Sequence, residues 1–236
     1  MNVNDVAKKI APFLKESGFT KKGNRFFKLK GLCLFVVSFE AGSLIRPGFF
    51  VYPLYYPFSF KSLEFGSHLH RYQAFPIKNL NRECSESELD EWISKLKRVL
   101  SNSVFKHLEH IDSLSKLSEF LDNGYGFVHF YWEITRPDNY FVLKAYTDFM
   151  CGKKAEMQKS IEKGIYYINE FPTSEHIKQD WRNSIEILCD MFDRTDVEKR
   201  VFVEGIVKNT LLECLGKKWE TLINGPLSLS LDFTNS

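Results

Sequence analysis

The feature that most constrains this chain is a change of hydrophobic period near residue 84. Before it, apolar residues come in short runs or at every second position. From residue 85 onward they recur at spacings of three and four. A pleated strand shows one face at every second residue, whereas an α-helix returns to the same face every 3.6. Strands first and helices after is the signature of an α+β fold rather than an alternating α/β one. The expected architecture is an N-terminal helix, an antiparallel sheet of about four strands, and a C-terminal helical layer. No Pro/Gly/Ser-rich linker separates the halves. One domain over 1–236 is therefore expected, with 1–84 mainly strands, 85–224 mainly helices, and 225–236 a C-terminal strand or tail. A chain of 236 residues buries roughly 70% of its unfolded surface, enough for a core without staples.

Along the chain, Asn4 is placed to cap a first helix carrying Val6, Ile10, Phe13 and Leu14, with Pro12 expected to kink or shorten it and Gly18 to end it. Gly23-Asn24 is a hairpin-turn dipeptide. The following strand has Phe27 and Leu29 on one face and Lys28 and Lys30 on the other. Leu32–Phe39 is apolar on both faces and reads as a central strand. Residues 41–48 read as a loop. Residues 49–60 hold seven aromatics in twelve positions, and Pro53 and Pro57 point to an edge or bulged strand. A fourth strand is expected around Tyr72 to Ile77.

Ser85 and Glu88 form a capping box for a helix whose stripe runs from Leu89 toward Ile111. A further helical segment carries Leu114, Leu117, Phe120 and Leu121. Residues 127–134 fit strand and helix equally. Residues 137–168 read as an αα-hairpin turning at Gly152, followed by helices from about Ser174 to Phe192 and from the capping box Thr195/Glu198. The strictly alternating Leu227, Leu229, Leu231 and Phe233 read as a strand that either rejoins the sheet or reaches a second copy of the chain.

The stretch from Phe13 to Gly31, with Gly18, Phe19, Lys21, Lys22, Gly23, Asn24, Arg25, Phe26 and Phe27 at its centre, resembles an uncharacterised bacterial family known only as a domain of unknown function. Members carry a similar helix, a "GF-x-KKG-x-x-F" hairpin and paired strands. The resemblance covers the first third and supports the fold. Some small domains of this general kind look like toxin-neutralising immunity proteins, an analogy of fold and not of site.

Charge is uneven beneath a net of +2. Residues 1–61 hold ten Lys/Arg against three acids, an excess of seven that leaves −5 for residues 62–236. Lys21, Lys22, Arg25, Lys28 and Lys30 cluster around the hairpin, next in sequence to Tyr52, Tyr55 and Tyr56. An exposed patch of this kind would hold a phosphate backbone and stack a base. The alternative is that the tyrosines cover the core and the lysines guard a sheet edge.

Other chemistry is incomplete motif by motif. His68 and His70 share a strand face without a third zinc ligand, and His107-x-x-His110 is one residue short of H-E-x-x-H and sits as on a solvated helix face. Cys84 adjoins a helix start but has no base assigned by sequence. Five scattered cysteines argue against a disulfide framework. The start MNVNDVAKK lacks an apolar leader core, and no apolar run approaches the roughly 18 residues that span a bilayer. The expectation is a cytoplasmic, non-enzymatic protein-binding module with no cofactor, no metal and no membrane contact. Nucleic-acid binding through the basic hairpin is the alternative, and self-association through the C-terminal strand is a further expectation.

Overall fold

The computed structural model describes residues 2–57, 65–69, 71, 74–75, 77–134, 136–170 and 172–217. Helix α1 (Val3–Glu16) buries Val3, Val6, Ala7, Ile10 and Leu14. Its N-cap is Asn2 rather than Asn4, because Asn2 and Asp5 hydrogen-bond each other's backbone N–H in a reciprocal capping box. The helix continues through exposed Pro12 to Glu16. It stops in a Schellman arrangement, with Gly18 left-handed (φ 84°) and the Phe19 N–H donating to Leu14 O at 2.9 Å.

Strands β1 (Thr20–Lys22) and β2 (Arg25–Lys30) meet at the Gly23-Asn24 turn. Next come β3 (Cys33–Ala41), β4 (Leu44–Pro53), β5 (Gly66–His68) and β6 (Leu80–Asn81). All pairings are antiparallel in the order β1-β2-β3-β4-β5, with β6 also on β4. The described sheet thus has six strands. β3 is buried at seven consecutive positions, as a strand covered on both faces must be.

β4 departs from the expected edge strand. It begins inside the segment read as a loop and has neighbours on both sides. Proline is tolerated there because Pro47 falls between the short pairings of β6 at Leu44–Ile45 and β5 at Gly48–Phe50. Its missing N–H faces that gap, and its carbonyl accepts from Leu69 N at 2.7 Å. Of the strand expected around Tyr72 to Ile77, residues 74, 75 and 77 are described and none is in a strand, while the tail from 225 lies outside the described residues.

After Ser85 the chain is helical: α2 (Glu86–Val99), one π-turn (Leu100–Val104), α3 (Phe105–Glu109), α4 (Leu114–Asp122), α5 (Tyr125–Trp132), α6 (Pro137–Met150), α7 (Lys154–Glu170), α8 (Glu175–Phe192) and α9 (Asp196–Leu215). Both predicted capping boxes, Ser85/Glu88 and Thr195/Glu198, form. α6 is buried on every side, and α7 returns along it after the Gly152 turn (φ 69°).

Sheet and helices share one contiguous core. They meet closely at Gly31, which has φ 57°. A Cβ there would lie 2.4 Å from the backbone oxygen of Asp112, and neighbouring Lys30 pairs with the Asp112 carboxylate at 3.2 Å. The β2–β3 turn is therefore seated against the loop between α3 and α4.

Candidate functional site

The structure does not assemble the open basic and aromatic surface expected from the N-terminal third. Tyr52, Tyr55 and Tyr56 are wholly buried. The Tyr55 hydroxyl pairs with Thr147 Oγ1 of α6 at 2.8 Å, and burial pushes its phenol well above the ordinary range. Tyr56 sits edge-on to Tyr52 and to Phe65. Rings enclosed in this way cannot stack on a base.

The hairpin cations are largely engaged within the chain. Lys28 Nζ donates to Ser17 O at 2.7 Å, closing the end of α1, and burial lowers its pKa. Lys30 holds Asp112, and Lys21 lies over the Phe26 ring. Lys22 and Arg25 lie beside the C-terminal end of α9, around Gly216 and Cys214, where a helix favours positive charge.

A different site forms where α3, α4 and α5 converge, around a cleft of about 650 Å³. Each of its walls has a local cause. Ser103, in the π-turn, and His107, four residues on, both line the cleft; such turns recur at functional sites. Ser113 caps α4 by accepting from the Lys116 N–H, which fixes Phe120 in the floor. Gly124 (φ 91°) lets the chain turn directly into α5, and Glu133 (φ 46°) ends that helix in the left-handed region. Residues 127–134, ambiguous by pattern, are thus mostly helix. Val128 and Trp132 point inward, and Phe127 and Phe130 remain 42% and 40% exposed.

His107 lies at the centre of this site. It is only 6% exposed. Trp132 Nε1 donates to His107 Nε2 at 2.9 Å. An indole N–H can only donate, so Nε2 is the acceptor and the neutral ring carries its proton on Nδ1. Burial, helped by nearby His110, lowers its pKa to about 4. The ring stacks on Tyr131 at 4.8 Å and 6°, with Phe120 edge-on at 5.2 Å. Among the described residues, Nδ1 has no hydrogen-bond partner.

The rim carries Lys116 and Glu119, and of these two Lys116 is ion-paired among the described residues. Lys116 pairs with Asp112 at 2.9 Å and donates to Glu109 O, while the Asn123 amide donates to Glu119 O. The cleft therefore offers aromatic faces and edges and the neutral His107 Nδ1–H, with Ser103, His110 and the Glu119 carboxylate also in its lining.

The sequence reading placed His107 on a solvated helix face, and the structure corrects this. The signal was present: His107 falls on the same stripe as Leu100, Val104, Leu108 and Ile111, all buried.

The remaining candidates are less complete. His68 Nε2 pairs with Glu40 at 2.8 Å, and His70 lies outside the described residues. Cys84 borders a second hollow, beside Trp92 and Arg98, with no histidine among its described lining. Among the described residues, no three His, Cys, Asp or Glu side chains converge on a metal position. No described helix is long and apolar enough to cross a membrane. Comparison of the chain with protein-family models, with curated proteins and with solved structures finds no match in any of the three.

Proposed function

We propose that this chain is a cytoplasmic, non-enzymatic protein-binding module of the immunity or accessory kind, and that it meets its partner on the α5 cleft. The observation that carries the reading is the pair Phe127 and Phe130, large rings left 42% and 40% exposed beside an aromatic hollow. Folding buries such side chains where it can, and aromatic anchors beside pockets dominate binding energy at protein interfaces. The five cysteines are all free thiols, which suits a reducing compartment.

The test is hydrogen exchange of the intact chain with and without proteins encoded by neighbouring genes, followed by titration of F127A/F130A. Protection over residues 125–132, and loss of at least about tenfold in affinity for the double variant, is the expected result. Protection confined to the hairpin at 20–30 would overturn the reading. A nucleic-acid partner would show itself by affinity falling steeply with salt and lost in K21E/K22E.

A further inference from the structure

We infer that the α5 cleft receives an aromatic side chain of the partner, with a main-chain carbonyl of the same segment accepting from His107 Nδ1–H. This deepens the reading above and rests on it.

Three observations converge on that chemistry. The first is the unpaired donor. His107 is nine-tenths buried, lines the cleft and is held by Trp132 through Nε2, so its only remaining polar group is the Nδ1–H. That N–H is not closed off from the open cleft, so a ligand that supplies an acceptor there can replace water on it.

The second is the arrangement of rings. His107 and Tyr131 lie parallel, while Phe120 stands edge-on to His107 and at 60° to Phe127. Such walls offer an incoming ring both offset-stacked and edge-to-face contacts, geometries that favour an aromatic over an aliphatic side chain of similar size.

The third is charge. The imidazole is neutral, and the one lysine on the rim is already tied to Asp112. Glu119 stands on the same rim in no ion pair among the described residues and repels an acceptor with full negative charge, so a peptide carbonyl suits the donor better than the carboxylate of a free aromatic acid. A cleft of about 650 Å³ also exceeds a single ring and leaves room for the backbone that carries it.

The probes are N-acetyl-phenylalanine amide, N-acetyl-leucine amide and phenylacetate, each titrated into the isotope-labelled full chain and followed by amide and histidine-ring resonances. The phenylalanine amide should move residues 125–132 and the His107 Nδ1–H signal. The leucine amide should bind about five- to tenfold more weakly, and phenylacetate no more tightly than the phenylalanine amide. F127A/F130A, altered only at exposed positions, should weaken binding of the phenylalanine amide about tenfold.

Equal binding of the leucine amide, tighter binding of phenylacetate, shifts outside the cleft, or no binding at millimolar probe would each overturn the inference. If a partner footprint covers 125–132 but the aromatic preference is missing, the chemistry fails and the docking surface stands. A partner footprint elsewhere removes both.

Discussion

His107 links stability to pH in a way that follows from its surroundings. Its folded pKa, about 4, lies below the ordinary 6.5. Between those values the unfolded chain binds a proton that the folded chain refuses. Acidification through that window therefore removes stability, which is fully present above the unfolded value. A gap of this size corresponds to up to about 3 kcal/mol. Denaturant unfolding of wild type and His107→Gln at a series of pH values should show the difference between them shrinking as pH falls from 7 toward 4. Parallel curves would refute the assignment. Comparing the two cancels the other titrating groups, including buried Asp148, whose pKa burial raises.

The elements differ in how far they were legible. The stripe of α2 was readable because its polar residues occupy one face and its cap is a strong local signal. α5 was not, because Y-G-F-V-H-F-Y-W has apolar or aromatic residues at both two- and four-residue spacings, which leaves no period to detect. Its identity comes from Gly124 and Glu133, whose backbone conformations end it on either side. β4 was misread for a tertiary reason: Pro53, which pointed to an edge, is the last residue of the strand, and Pro47 falls where the pairings of β5 and β6 leave a gap. The cleft was hidden for a similar reason, since its walls come from three helices, the π-turn and Ala74–Phe75, and only the packed chain brings them together. Gly31 shows local and long-range demands at one residue. Gly31→Ala should cost about 2 kcal/mol or more, read as a lower denaturant midpoint, because φ 57° and the Asp112 oxygen both resist a methyl group. An unchanged midpoint would mean that the turn is not held against the helical layer.

At the scale of the whole molecule, a charged clasp ties α4, α6 and α7 together. Lys144 bridges Asp122 at 2.5 Å and buried Asp148 at 3.0 Å, Ser160 of α7 donates to Asp148, and Lys153 reaches Asp122 and Ser118. Burial works against the charge on Lys144, but the two carboxylates raise its pKa overall. Removing one member of a buried pair strands the other. Lys144→Met should therefore destabilise by about 3 kcal/mol, and adding Asp148→Leu should restore part of that loss, as a double-mutant cycle would show. If the two losses simply add, the clasp is not a coupled unit.

The short outer strands also govern how the chain meets copies of itself. Among the described residues, the sheet is bordered by the three residues of β1, two of them lysines, and on the far side by β5 and β6 with three and two. A free strand from another molecule finds too few backbone groups in line to pair with, and positive charge across its path. Leu32–Phe39, the uncharged stretch best suited to fibril growth, is sealed in the middle of the sheet. Among the described residues, pairing between copies through Leu32–Phe39 accordingly requires the strands that flank it to open first.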